Sequence, residues 1–214
     1  MVITKVERQK KHPSRVSIHV DNQFAIGIHK EVLLQSALRV GDQISEKTLH
    51  ELKRQEDVHH ARESAVRLLS YRARSVKELE DRLRRKGFDP ATIKQVLESL
   101  ARSGLLDDVD FARSFAHDKL LRKPMGKSLL KYQLRHKGIP NEVIEQVLSE
   151  MYEKDAEDEY ATNLARDRFR RLRSSYLKLD PQKQKKRLSD YLARRGFEWE
   201  TVAKAVGRVL GEAE

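Results

Sequence analysis

Three stretches decide the architecture: Arg82–Leu97 (RLRRKGFDPATIKQVL), Gln133–Leu148 (QLRHKGIPNEVIEQVL) and Tyr191–Val206 (YLARRGFEWETVAKAV). Each reads as a basic helix end, a glycine, a bulky apolar residue and a second amphipathic helix. Gly87, Gly138 and Gly196 recur at intervals of 51 and 58 residues. Self-similarity at such a period marks a repeat protein, whose small units each bury an apolar face against a neighbour.

Outward from these stretches, residues 61–214 carry helical periodicity throughout. In the first unit, Ala61, Ala65, Leu68 and Leu69 share one face, and Ser75-Val76-Lys77-Glu78 has the form of a capping box. Asp89-Pro90 starts its last helix as N-cap and first-turn proline, with Ile93, Val96, Leu97 and Leu100 inward. In the second unit, Phe111, Ala112, Phe115 and Ala116 face inward until Pro124 and Gly126 break the helix. Ile144, Val147, Leu148 and Met151 then reproduce the stripe of the first unit. The third unit has a longer first helix, about 155–176. Val202, Ala205, Val206 and Val209 complete its pattern.

Residues 1–60 differ in texture. Val16, Ile18 and Val20 alternate with polar residues, as do Phe24, Ile26 and Ile28, and Asp21-Asn22 between them suits a two-residue hairpin turn. Val2–Lys10 adds a candidate third strand, Glu31–Ala37 a short helix, and Ser45 caps a helix expected to run through Gln55. The expected fold is mainly α: an elongated, curved, solenoid-like array of three-helix repeats behind a small β-hairpin module. The expected boundaries are 1–60, 61–106, 107–153 and 154–214.

The net charge is +11, and the sequence pI is about 9.8. Residues 1–60 carry 10 Lys and Arg against 8 Asp and Glu, residues 61–125 carry 15 against 10, and residues 126–214 carry 19 against 15. The excess therefore sits on the repeats, and an anionic partner is expected. The chain has no cysteine, which excludes disulfides and thiolate metal sites. The first residues lack a signal-peptide core, and no apolar run approaches the length that spans a bilayer. A cytoplasmic protein without membrane contact is expected.

No catalytic constellation is apparent: no phosphate-cradling glycine loop, no dinucleotide fingerprint and no HExxH pair. The eight histidines do not cluster at ligand spacing. His59-His60 read as solvated neighbours, and His12, His19 and His29 as surface residues around the hairpin. No cofactor, metal or catalytic residue is expected. Phe111, Phe115, Phe169, Tyr71, Tyr132 and Tyr191 fall at helical spacing and read mostly as core, whereas Trp199 stands in a polar context.

The basic residues are better placed. Arg82, Arg84, Arg85 and Lys86 precede the first glycine, Arg135 and Lys137 the second, and Arg194 and Arg195 the third. Cations in a last helical turn suit the helix dipole. Repeated along stacked units, they also make a stripe able to follow a phosphate backbone without reading sequence. Arg170 and Arg171 belong to a basic run on the long helix of the third unit. Lys183, Lys185, Lys186 and Arg187 open the next helix, where the dipole disfavours cations, so a partner's negative charge is a natural compensation.

Ile3–Ile28 (ITKVERQKKHPSRVSIHVDNQFAIGI), Ala65–Phe88 (AVRLLSYRARSVKELEDRLRRKGF) and Ser103–Pro140 (SGLLDDVDFARSFAHDKLLRKPMGKSLLKYQLRHKGIP) together resemble the RecX family of bacterial recombination regulators. The resemblance covers essentially the whole chain and is loosest in the third unit. It implies a non-enzymatic protein, expected as a monomer. Its partner would be the RecA recombinase, bound in the groove of the RecA–single-stranded-DNA filament with direct, weakly sequence-selective DNA contact. Filament growth, ATP hydrolysis, strand exchange and coprotease activity would be inhibited. The competing reading from the residues alone is a free-standing helix-turn-helix regulator. The helices after Gly87 and Gly138 are poor in cations, whereas a recognition helix carries base-reading side chains in its first turns.

Overall fold

The computed structural model describes residues 1–153 and 155–211. Lys154 and residues 212–214, the outer ends of the expected third repeat, lie outside the described residues. The chain divides into two compact units, one of Met1–Arg74 with Glu78–Leu106, the other of Ser75–Lys77 with Asp107–Glu214.

The first unit opens with an antiparallel sheet of β1 (Ile3–Arg8), β2 (Arg15–Val20) and β3 (Gln23–His29), in that spatial order. Asp21 and Asn22 both have positive φ, 48° and 64°. That is the backbone of the tight turn whose twist matches the strands it joins. Alternation puts Val16, Ile18 and Val20 on one face, where they pack with Ile3, Ile28, Val32, Ile44 and Leu52. The link after the short helix α1 (Lys30–Ser36) pairs with the start of the chain, Ile3 N donating to Asp42 O and Gly41 N to Ile3 O.

Ser45 caps the next helix as expected, its Oγ accepting from Thr48 N at 3.1 Å. The helix does not stop at Gln55. It runs unbroken as α2 (Glu46–Tyr71), so the two helices expected on either side of residue 60 are one. No glycine or proline interrupts 46–71, and the apolar face passes from the sheet (Leu49, Leu52) to the first repeat (Ala61, Ala65) without a break. Glu56, almost fully buried, fastens the sheet to α2: its carboxylate accepts from His29 N at 2.6 Å and pairs with Arg15 at 2.5 Å. α3 (Val76–Arg85) and α4 (Pro90–Arg102) complete the first repeat, burying Leu79, Leu83, Ile93, Val96 and Leu100.

The second unit continues with α5 (Asp108–Arg122), α6 (Lys127–His136) and α7 (Asn141–Met151) around Phe111, Ala116, Leu130, Leu134, Ile144 and Val147. α8 (Ala156–Arg171), α9 (Arg173–Tyr176), α10 (Pro181–Ala193) and α11 (Trp199–Gly211) enclose Ala161, Ala165, Leu188, Leu192, Val202 and Val206. The long helix expected over 155–176 is broken at Leu172, whose φ of −117° and ψ of 22° leave the helical region.

The repeated basic-glycine-apolar step has one structural meaning. Gly87, Gly138 and Gly196 have φ of 89°, 76° and 81°. The residue after each returns its N–H to the carbonyl five positions back: Phe88 to Leu83, Ile139 to Leu134 and Phe197 to Leu192. This is the Schellman closure, in which a left-handed residue ends the helix and the next side chain packs on its last turn. Ile139 and Phe197 are accordingly buried. Residues 75–77 join the second unit at this step: Ser75 Oγ donates to Lys137 O at 2.5 Å, and Val76 N donates to Asp108 Oδ1 at 2.9 Å.

Asp108 is half buried there. Burial holds its carboxyl above the ordinary aspartate range, against the lowering effect of the Val76 N–H, and the charge of Asp107 pushes the same way as burial. A carboxyl that is harder to ionise when folded costs stability as pH rises through its folded pKa. Asp108→Asn keeps the accepting oxygen and removes the charge. Its unfolding midpoint is expected to equal or exceed the wild type's at pH 7–8, with any gain vanishing in acid. Asp108→Ala orphans the Val76 N–H and is expected to cost about 1–2 kcal/mol. Thermal melts of the two variants across pH check both statements.

Candidate nucleic-acid interface

The joint between the second and third repeats is built from very close backbone approach. Gly126 N donates to Arg195 O at 2.9 Å. A β-carbon on Gly126 would stand 2.1 Å from Gly196 O, and one on Gly196 would stand 2.4 Å from Leu129 Cβ. The next amide, Lys127 N, donates to Glu157 Oε1 at 2.8 Å. With glycine at its N-cap, α6 has no side-chain cap of its own. An acid from α8 supplies the acceptor instead.

This joint brings the C-terminal end of α5 beside that of α10. Between them lies a groove of about 670 Å³ lined by Lys119, Arg122, Lys123, Gln133, Arg194 and Arg195, with Tyr191, Met125 and Leu129 as apolar wall and floor. It holds five cations and no carboxylate. Lys119, Arg122, Lys123 and Arg194 are exposed. Arg195 is half-buried and held in place, its guanidinium 5.5 Å from the Tyr191 ring centroid and within 3.4 Å of the Tyr191 hydroxyl. Arg168 stacks on the same ring at 5.1 Å. Lys119 and Lys137 both set their ammonium groups against Phe115, at 5.2 and 5.7 Å from the centroid.

Helix C-termini offset part of this crowding, because α5 and α10 both end at the groove and each supplies a partial negative charge. A last turn accommodates one or two cations in this way. Five from two helices with no acid among them exceed that need, and mutual repulsion favours an anion in the groove.

The expected residues divide as follows. Arg194 and Arg195 line the groove. Arg187 lies one and two helical turns before Tyr191 and Arg194 on α10 and so shares their face. Lys137 is joined to the groove through Phe115. Arg135 is exposed and its Nε donates to Asn141 Oδ1 at 3.2 Å. Arg170 is exposed and paired with Asp167 at 2.5 Å, and Arg171 Nε donates to Asp167 O at 3.3 Å. Lys183 is exposed and paired with Asp180 at 3.0 Å. Lys185 and Lys186 are exposed on the first turns of α10. In the first unit, Arg82, Arg84, Arg85 and Lys86 are all exposed at the end of α3, where Arg84 pairs with Glu80 and Arg85 Nε donates to Asp81 O at 3.1 Å.

Sequence reading passed over Lys119, Arg122 and Lys123. Their signal was present: a basic cluster at a helix end, as in the other three, but ended by Pro124 rather than by glycine. Two aromatics read as core are exposed, Tyr71 (78%) and Tyr132 (58%), and Trp199 is 74% exposed at the start of α11. Sequence reading also left His29 and His59 apart. The fold brings their rings to 4.1 Å, nearly parallel.

The elements are those of a mainly helical protein in which a small three-stranded sheet is followed along the chain by three helical repeats. Among the described residues, no helix is long and apolar enough to cross a membrane. Family models match in the same order along the chain: the RecX N-terminal domain over residues 1–45, and the first, second and third RecX three-helix domains over 61–100, 107–148 and 156–206. Regulatory protein RecX of Clostridioides difficile (strain 630) is 31% identical over 98% of this chain and 96% of its own length. That of Bacillus licheniformis is 30% identical over 95% of this chain and 76% of its own. A crystal structure of regulatory protein RecX shares the fold at a TM-score of 0.79 and 23% identity, covering 99% of this chain and 98% of that one. The crystal structure of RecX from Lactobacillus salivarius follows at a TM-score of 0.65 over 72% of this chain.

The chain belongs to the RecX family of regulatory proteins.

Proposed function

We propose that the protein regulates the RecA recombinase by binding the RecA filament on single-stranded DNA, with the groove between α5 and α10 holding DNA phosphates. Family membership supports RecA as the target. The observation that carries the phosphate reading is the acid-free set of Lys119, Arg122, Lys123, Arg194 and Arg195. Guanidinium and ammonium groups at a backbone neutralise charge without selecting bases. The cluster Arg82–Lys86 and the run Lys183–Arg187 extend the same chemistry, and the protein acts as a monomer that slows filament growth and with it ATP hydrolysis, strand exchange and coprotease activity.

The free-standing sequence reader is less well supported. In the second repeat, the helix after the glycine, α7 (NEVIEQVLSEM), contains neither lysine nor arginine. The cations gather at helix ends, where they meet phosphates rather than base edges. RecA's DNA-dependent ATPase tests the proposal. Added below stoichiometry to RecA, the protein is expected to slow the steady-state rate severalfold. An unchanged rate at equimolar protein would overturn it.

A further inference from the structure

The corner where β3 passes into α1 faces the middle of α2, and three side chains with metal-ligating atoms converge there. His29 ends β3 and caps α1, and Glu31 lies in the first turn of α1. His59 and Glu63 stand one turn apart on α2. Ligand atoms of His29, Glu31 and His59 all lie within 4.8 Å of one another. His59 sits between two carboxylates, its Nδ1 3.7 Å from Glu31 and its Nε2 3.9 Å from Glu63. Neither distance is a hydrogen bond, and Nε2 is buried without a hydrogen-bond partner among the described residues. The His29 Nδ1 lone pair is engaged only by a long 3.3 Å bond from Glu31 N.

We infer that His29, Glu31 and His59 form a binding site for a divalent transition ion of the zinc type, with its fourth position open to water. Two imidazoles select such an ion over magnesium or calcium, which prefer oxygen ligands. The Glu31 carboxylate offsets part of its charge. Tetrahedral zinc at 2.0–2.2 Å from its ligands needs donors about 3.4 Å apart, and because the two rings lie nearly parallel, His29, whose Nδ1 is held only weakly, must turn to aim a nitrogen at the ion bound by His59. Glu31 is 65% exposed and free to swing in, whereas His59 is 18% exposed. The backbone is set in advance: the His29 amide is tied to the buried Glu56. Arg62 and Arg67 line the same groove. The bound ion would fasten the sheet corner to α2.

The test is a zinc titration of the untagged full-length chain, stripped with chelator and followed by calorimetry and by thermal melting. One equivalent is expected to bind with micromolar affinity or better. Zinc at a hundredfold excess over Kd should raise the melting transition by roughly 5 °C or more, and magnesium at the same concentration should not. His59→Gln is expected to weaken binding at least about tenfold. The surface variant Glu31→Gln should do so in the same direction without disturbing the fold. Absence of saturable zinc binding, or equal affinity in both variants and the wild type, would overturn the assignment.

Discussion

Gly126→Ala is expected to lower the stability of the second unit by about 2–4 kcal/mol, at or above the usual cost of overpacking because backbone must move. The residue has φ of −78°, so alanine meets no intrinsic backbone strain. The whole cost comes from the neighbour: the new β-carbon would overlap Gly196 O and C at 2.1 and 2.4 Å and Phe197 N at 2.5 Å. These are backbone atoms inside a Schellman turn, so they cannot rotate away. Relief requires breaking the Gly126–Arg195 hydrogen bond and parting the ends of α5 and α10. Gly207→Ala is the control. It lies within α11 with no atom within 4 Å of its would-be β-carbon, and it should gain up to about 1 kcal/mol from helix propensity. Denaturant melts compare the two directly. A Gly126→Ala protein that unfolds with the wild type would show that the joint is looser than described.

Because the same joint builds the cationic groove, the second large effect concerns binding. Lys119→Gln, Arg122→Gln, Lys123→Gln and Arg194→Gln together remove four exposed cations and leave the structural Arg195 in place. Single-stranded DNA affinity is expected to fall roughly 100-fold near 0.1 M salt, with inhibition of RecA's ATPase reduced in parallel and the melting temperature kept. Lys10→Gln, Lys11→Gln, Arg39→Gln and Lys47→Gln remove the same charge from exposed positions of the first unit and control for net charge. If this control loses as much affinity, the groove is not special and only the overall field matters.

Much of the fold was legible because its signals are local. A left-handed glycine, cations beside it and an apolar residue after it announce the ends of α3, α6 and α10 within a few positions. Asp21-Asn22 announces the hairpin equally locally. The continuity of α2 was not legible, because residues 56–60 (EDVHH) offer no strong helical pattern. Their helix is held by tertiary contacts, Glu56 with Arg15 and His59 with His29 and Glu31. The break at Leu172 carries no glycine or proline to announce it.

The site was less legible for the same reason. Arg194 and Arg195 could be named from their repeat, but their partners Lys119, Arg122 and Lys123 lie some 70 residues earlier. Contact between Gly126 and Gly196 brings them together, and no spacing rule encodes it. The pair His29 and His59 is a similar case.

The most direct measurement is the salt dependence of single-stranded DNA binding for the wild type and the four-glutamine groove variant. Counterion release predicts that the slope of log affinity against log salt falls by roughly 2–3 in the variant, about 0.7 for each lost phosphate contact. A slope equal to the wild type's, or a drop no larger than that of the charge-matched control, would contradict the assignment of phosphate contacts to the groove.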